Sequence, residues 1–315
     1  MKKIALGIAG LLLILVGVAG LILPILPGWP FVFLGLSMVA PAYAERLKRR
    51  VLRRFSKKEL IYLENYEKYK IHAGFTTRHF PVILRKTDEL SNPSKKDQLM
   101  KAFSESAVLA SHRVSVGSRF VYLNQIHGDR IAVLDKSDDF SDNSFRCFSE
   151  ADGVMTNIKE VALLVMTADC LSIFMAAGKG DRQWVALIHA GWRGTQKEIA
   201  KKAFQMLQER SECLSSEIRV IFGPCIGKDQ YEVGGEFLGM FGPVSDSRSP
   251  IRRKGKKLYF DLAGENRRQL IKAGAKLENI KDLEICTVSE NDDFYSFRKE
   301  KDGAGRVISF IKIAA

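Results

Sequence analysis

Val161-Ala162-Leu163-Leu164-Val165-Met166-Thr167-Ala168-Asp169-Cys170 and Trp184-Val185-Ala186-Leu187-Ile188-His189-Ala190-Gly191-Trp192-Arg193-Gly194 are the stretches on which the fold turns. Each opens with an uninterrupted apolar run, which reads as a strand covered on both faces, over 161–167 and 184–188. Each then changes to small and polar residues around one metal-ligating side chain, Cys170 in the first and His189 in the second. A third such place is Asn124-Gln125-Ile126-His127-Gly128, between apolar segments that read as strands over 119–125 and 130–134. Two imidazoles and a thiolate are borderline-soft donors suited to Zn²⁺. Three protein ligands leave a coordination position for substrate or water.

Working outward, further strands are expected over 218–222, 283–287 and 307–313. Thr195 followed by Glu198 reads as a capping box, so a helix should begin near Thr195 and bury Ile199, Ala203, Phe204 and Leu207. A helix over 261–273 should turn Leu262, Leu270 and Ile271 inward. Strands and helices intermix without a strict β-α-β rhythm, which favours an α+β fold with one mixed-sheet catalytic domain over a doubly wound one.

The chain has 315 residues and a formal net charge of +13. Ten Lys and Arg against Glu45 and Glu59 put +8 of that charge in residues 1–60. The remaining body is only mildly basic, which argues against nucleic acid as a partner. Five cysteines, Cys147, Cys170, Cys213, Cys225 and Cys286, make an odd set with no C-x-x-C spacing. That excludes a simple disulfide framework or zinc ribbon and suits a reducing compartment.

Residues 4–23 form an uncharged run about 30 Å long as a helix, enough to cross a bilayer. Pro24-Ile25-Leu26-Pro27-Gly28-Trp29-Pro30 then forces a turn before a second apolar stretch over 31–44. The expectation is a transmembrane or re-entrant hairpin over 1–44, then a basic amphipathic linker helix over 45–59 with Leu47, Val51 and Phe55 on one stripe. Flanking Lys and Arg would leave both ends in the cytoplasm, so residues 1–58 are expected to meet the membrane. A cleaved signal peptide is the competing reading of Ala42-Tyr43-Ala44, but its apolar region would be far too long. The catalytic domain is then expected over 60–315, at a bacterial inner membrane and facing the cytoplasm.

Gly191-Trp192-Arg193-Gly194, ahead of the expected helix, is a second chemical signal. Glycines permit close backbone approach, free amides at a helix start attract anions, and Arg193 would add a guanidinium. A tight strand–helix connection accounts for the same residues without any ligand.

Further motifs follow one another in order: Phe75-Thr76-Thr77-Arg78, Gln125-Ile126-His127-Gly128, Ala151-Asp152-Gly153, Ala168-Asp169-Cys170 and His189-Ala190-Gly191-Trp192-Arg193-Gly194. After these come Gly223-Pro224-Cys225-Ile226, Tyr231-Glu232-Val233, Asp261-Leu262 with Asn266, Phe294-Tyr295-Ser296-Phe297-Arg298 and Gly305-Arg306. With these motifs the chain resembles the YfiH-like family, also called laccase-domain or multicopper polyphenol oxidoreductase proteins. The resemblance implies an α+β fold like that of cytotoxic-necrotizing-factor-type cysteine hydrolases, with zinc on His127, Cys170 and His189. It also implies phosphorolysis of adenosine, inosine, guanosine and methylthioadenosine, with adenosine deamination as a side activity. One branch edits peptidoglycan precursors. Here Arg78 is followed by His79-Phe80-Pro81-Val82-Ile83-Leu84 where the family usually carries Gly-Gly-Val-Ser, so one pocket wall is expected to be rebuilt.

The first expectation is therefore a zinc-dependent purine nucleoside phosphorylase taking a nucleoside and phosphate. In it, Arg78, Arg193 and the amides of Gly191–Gly194 would neutralise phosphate, and Asp169 would orient a ligand or move a proton. Copper is an alternative or adventitious ion. The second expectation is a hydrolase of peptidoglycan precursors with Cys170 as nucleophile and His189 as base. True laccase chemistry is excluded by supply, because five histidines cannot fill several imidazole-held copper centres. A non-enzymatic membrane scaffold would leave the ordered polar motifs without a purpose.

Overall fold

The two apolar runs become the central strands of two different sheets. The computed structural model describes residues 58–315 except 118, 136–144 and 246–248. In chain order the first half holds β1 (Leu60–Tyr62), β2 (Ile71–Thr76), α1 (Pro93–Ser104), α2 (Ala107–Ser111), β3 (Arg119–Leu123), β4 (Ile131–Leu134), β5 (Phe145–Phe148) and β6 (Gly153–Thr156). The middle holds β7 (Val161–Thr167), β8 (Leu171–Ala177), β9 (Trp184–Ala190), α3 (Trp192–Gln196), α4 (Ile199–Ser211) and β10 (Arg219–Phe222). The remainder holds β11 (Glu232–Val233), α5 (Glu236–Phe241), β12 (Ile251–Lys254), β13 (Lys257–Phe260), α6 (Leu262–Lys272), β14 (Ile280–Asp282), α7 (Phe297–Glu300) and β15 (Val307–Ile313).

One six-stranded sheet runs β1-β2-β15-β7-β3-β5, the other runs β14-β10-β8-β9-β6-β4, and a small sheet runs β11-β13-β12. Both large sheets are mixed: β15 is antiparallel to β7, whereas β3 is parallel to both β7 and β5. Alternation along each strand builds three layers of core. Val161, Leu163 and Val165 of β7 meet Val185 and Leu187 of β9 and Phe174 of β8 between the sheets. Ala162, Leu164 and Met166 face outward onto Leu99 and Phe103 of α1. On the far side, Ala186 and Ile188 of β9 pack under Ala203, Phe204 and Leu207 of α4. The result is a sheet-on-sheet sandwich with helices on both outer faces, the α+β mixed-sheet fold expected from the pattern.

Several local expectations are corrected. β9 continues two residues past Ile188, so His189 lies inside a strand rather than in the loop beyond it. Helix α3 begins at Trp192 directly after the Gly191 cap, and the chain breaks at Glu198, whose φ is 60°, before α4. Thr195 is not a cap; it is buried, and its Oγ1 accepts a bond of 2.9 Å from Asn266 Nδ2 of α6. Ile271 points outward at 45% exposure, because the α6 stripe that packs on α3 and α4 is Leu262, Glu265, Asn266, Gln269 and Leu270. The strand expected over 283–287 is β14, displaced to Ile280–Asp282, while Cys286 makes only an isolated parallel bridge with Cys225. β3 and β4, which flank His127, belong to opposite sheets, so the His127 loop crosses the open edge of the sandwich.

The expected hairpin over 1–44 and most of the basic linker, through residue 57, lie outside the described residues. The inner-membrane location is corrected. Among the described residues no helix is long and apolar enough to cross a membrane, and the long apolar runs there are seven-residue strands buried between protein layers.

Candidate metal centre and substrate pocket

Period-two alternation carries the inter-sheet face of β9 from Val185 and Leu187 to His189, at the end where the two sheets part. Cys170, in the turn between β7 and β8, has the parity of Phe174 and Ala176 and reaches the same gap. The loop after β3 delivers His127 from the opposite sheet. The donor atoms of His127, Cys170 and His189 all lie within 4.8 Å of one another. Bond lengths to zinc set neighbouring donors of a tetrahedral site roughly 3.3–3.8 Å apart, so a small side-chain adjustment suffices to close on an ion.

One buried carboxylate arranges the two histidines. Asp152, fully buried at the start of β6, accepts the backbone N–H groups of Ile126 at 3.3 Å, His127 at 2.9 Å and Gly128 at 2.6 Å. It also receives His189 Nδ1 at 2.7 Å, which leaves the other imidazole nitrogen to face Cys170 and His127. His127 sits at φ 60°, a left-handed backbone that costs a non-glycine residue about 1 kcal/mol, and the bonds to Asp152 hold it there. Gln125 ties the same loop to the end of β7 by exchanging bonds of 2.8 and 2.9 Å with the Met166 backbone.

Gly191 has a steric reason at this point: a Cβ there would stand 3.0 Å from Cys170 Sγ and 3.2 Å from His127 Cδ2, inside the donor cluster. Gly194 backs onto the His127 loop, since a Cβ would meet the Gly128 carbonyl oxygen at 2.7 Å. Both glycines therefore shape the centre by close approach, which accounts for them without a phosphate.

Charge and donor chemistry fit a divalent, thiolate-accepting ion. Burial alone would push the Cys170 thiol up, but the His189 charge and hydrogen bonds from both histidines outweigh it and bring the thiol down to about 6. Burial would likewise lower His189, yet Cys170 and Asp152 raise it to about 9. Asp152 is itself buried, and its bonds to His189 and the loop amides hold its carboxyl below the usual range.

Above this cluster opens a cavity of about 810 Å³. Trp192, Tyr231 and Phe297 give it flat aromatic walls; Arg85, Lys86, Arg193, Arg298, Lys301 and Arg306 give it cations. Thr167 also lines it, and its hydroxyl is buried with no hydrogen-bond partner among the described residues. Arg193 lies over the Trp192 ring at 4.4 Å. Arg78 is placed elsewhere: its guanidinium pairs with Glu300 at 2.8 Å, beneath Tyr295 and outside the cavity lining, so the expected phosphate contact is corrected. Asp169 immediately precedes Cys170 in its turn. One of its oxygens accepts Thr287 Oγ1 and the other the Arg298 N–H, both at 2.6 Å, which fastens two loops to the Cys170 turn.

Asp152, Tyr231, Arg298 and Arg306 were not singled out individually, although each lies in a short motif already quoted. An acidic residue immediately before a buried strand was the available signal for Asp152. Residues 79–84, where a rebuilt wall was expected, do not line the cavity; Arg85, Lys86, Thr87 and Asp88 just beyond them do. Of the other histidines, His72 bonds Tyr62, His79 bonds Asp293, and His112 lies against Tyr62. Only His127 and His189 converge among the described residues, which is too few imidazoles for multicopper chemistry.

Replacing Asp152 by Asn should lower metal affinity by roughly 10–100-fold, as loss of a carboxylate behind a ligating imidazole does, measured by competition with a chromophoric zinc chelator. Between pH about 6 and about 9 the metal-free centre pairs a thiolate with a protonated His189. Metal binding needs that imidazole neutral, so calorimetry at about pH 7.5 in buffers of different ionisation enthalpy should find about one proton released. Release should increase below about pH 6, where Cys170 also carries a proton, and affinity should fall accordingly.

Among known proteins, the chain is 34% identical over 200 residues to a purine nucleoside phosphorylase YlmD of Geobacillus stearothermophilus, covering 61% of this chain and 72% of that one. It is 30% identical over 193 residues to an adenosine deaminase RL5 from an unknown prokaryotic organism, covering 59% of this chain and 72% of the relative. The crystal structure of YlmD from Geobacillus stearothermophilus superposes with a TM-score of 0.64 at 27% identity, covering 78% of this chain and 93% of that chain. Residues 72–314 match the family described as multi-copper polyphenol oxidoreductase laccase, and with a match over most of its length the chain belongs to that family.

Proposed function

We propose that the protein is a zinc-dependent purine nucleoside phosphorylase, acting on adenosine, inosine, guanosine and methylthioadenosine, with adenosine deamination as a side activity. The observation that carries this reading is a three-donor centre at the floor of a cavity that combines aromatic walls with unspent cationic charge. Relatives named purine nucleoside phosphorylase and adenosine deaminase support it. His127, Cys170 and His189 would hold zinc, which would supply Lewis acidity at the cavity floor; copper suits the same donors as an alternative ion.

The protein's own groups do the rest. Arg193, Arg298 and Lys301 each lie over one face of Trp192, Tyr231 and Phe297 respectively, and a purine stacks against a ring face that these cations leave free. The Thr167 hydroxyl, otherwise unpartnered, is available to a sugar hydroxyl or a phosphate oxygen. Arg193, Arg298 and Arg306 hold inorganic phosphate against the anomeric carbon while the glycosidic bond to the purine breaks. Asp152 keeps His189 in one tautomer, and Asp169 holds the Cys170 turn rather than moving a proton. Purified protein should release ribose 1-phosphate from inosine only when phosphate is present, and Cys170→Ala should lower kcat/KM by at least about 100-fold. Turnover of inosine that ignores phosphate would remove phosphorolysis from consideration.

A second reading is favoured by one specific observation. A thiol brought down to about 6, an imidazole beside it and a carboxylate behind that imidazole are the parts of a cysteine nucleophile, here for an amide of a peptidoglycan precursor. Metal decides between the two, because a ligated thiolate is a poor nucleophile. Under the phosphorylase reading, zinc-loaded protein resists iodoacetamide at Cys170 and chelated protein is alkylated quickly; rapid alkylation with stoichiometric zinc present supports the hydrolase.

A further inference from the structure

The cations of the cavity exceed what one phosphate ion requires. Arg85, Lys86, Arg193, Arg298, Lys301 and Arg306 line it, and none makes an ion pair with a carboxylate of the described residues. Arg298 donates to the Glu232 carbonyl, and Arg306 to those of Ala304 and Gly305, so their charges are positioned but not neutralised. Two carboxylates share the lining, Asp88 and Asp169; the donors on Asp169, the Thr287 hydroxyl and the Arg298 backbone N–H, are uncharged, so two negative charges face six positive ones.

The six divide by place. Arg298 and Arg306 are half-buried, with the Arg298 amide on Asp169 next to Cys170, and Arg193, itself exposed, sits on α3 directly beyond His189. Arg85, Lys86 and Lys301 come from two other lining segments, and all three are exposed, as side chains at the open rim of a cavity are. The backbone N–H groups of Arg85 and Lys86 are both fixed by Glu89 Oε1, at 2.7 and 3.0 Å. The backbone there is held in place while the two cationic side chains are left for the cavity. Thr87 adds a hydroxyl beside them. At about 810 Å³ the cavity lies high in the range of roughly 300–1,000 Å³ usual for small-molecule sites. It has room for a nucleoside, a phosphate ion and a further group.

We propose that Arg85, Lys86 and Lys301 form a second anion subsite at the mouth, which takes a phosphomonoester carried by the substrate, so that the substrate class includes nucleoside 5′-monophosphates. This rests on the nucleoside-binding reading of the cavity and extends it. The inner cations receive inorganic phosphate and the outer ones the substrate's own phosphate, with the purine on the aromatic wall between them. In phosphorolysis of such a substrate the attacking phosphate forms the C1′–O bond and the C1′–N9 bond breaks. The proton lost by the phosphate ends on the departing purine, and ribose 1,5-bisphosphate is the sugar product.

The test is calorimetric binding of adenosine, adenosine 5′-monophosphate and inorganic phosphate to the full-length zinc-loaded protein at low and moderate salt. The monophosphate should bind about tenfold more tightly than adenosine at low salt, the gain expected of a charge-assisted contact at a partly exposed site, and the difference should shrink as salt rises. Arg85→Ala/Lys86→Ala should remove that gain and leave adenosine and inorganic phosphate binding unchanged. Lys301→Ala, on the opposite segment, should reduce the gain independently. Equal affinity of the wild-type protein for adenosine and its monophosphate would overturn the subsite, as would monophosphate binding indifferent to all three substitutions. Preferential monophosphate binding that depends on these residues, in a protein that fails to phosphorolyse inosine, would support the subsite and sink only the reaction proposed above.

Discussion

The Asp152 carboxylate is the constraint on which the rest of this centre depends. It is fully buried, yet it accepts three successive backbone amides and one imidazole. A buried anion is tolerated only when such donors replace its hydration, and here they also transmit position. The three amides hold the loop of one sheet, and the imidazole belongs to the adjacent strand of the other. A single side chain thus locks the two sheets together at their open end and sets both nitrogen ligands against the sulfur. Shortening or neutralising it would leave a strained left-handed His127 without support and His189 free to turn.

Around that anchor the fold supplies space and charge by different means. Close packing of β7 against β9 fills the middle of the sandwich, so a cavity forms only where strand parity brings His189, Cys170 and Thr167 to the inner face in place of Val, Leu and Phe. Gly191 keeps the donor cluster free of a side chain, and Gly194 lets α3 lie against the Gly128 carbonyl. Asp169 then draws the Thr287 loop and the start of α7 over the Cys170 turn, carrying Phe297 and Arg298 to the cavity wall. Metal chemistry, a stacking surface and an anion-attracting mouth therefore arise from one gap between two sheets.

How much of this could be read beforehand depended on the range over which each feature is encoded. Continuous apolar runs announced β7, β9 and β15 because burial on both faces leaves a local imprint in the residues themselves. Leu270 and Ile271 are equally apolar and adjacent, and only docking of α6 onto α3 and α4 decides that the first is buried and the second exposed. Thr195 carried a capping signature, but its hydroxyl is used by Asn266 of α6, a contact 71 residues away. Arg78 suggested an anion contact until Glu300, 222 residues on, proved to be its partner.

By itself the sequence determined the α+β class, the principal strands and the three soft donors at strand ends, since each is a matter of local pattern and residue chemistry. Tertiary structure alone decided that these donors face one another, that Asp152 orients them, and that Arg298 and Arg306 rather than Arg78 border the cavity. The physical reason is that convergence follows from strand order and register. β3 pairs in one sheet and β6, β8 and β9 in the other, and no short-range periodicity records which strand ends will meet across the gap.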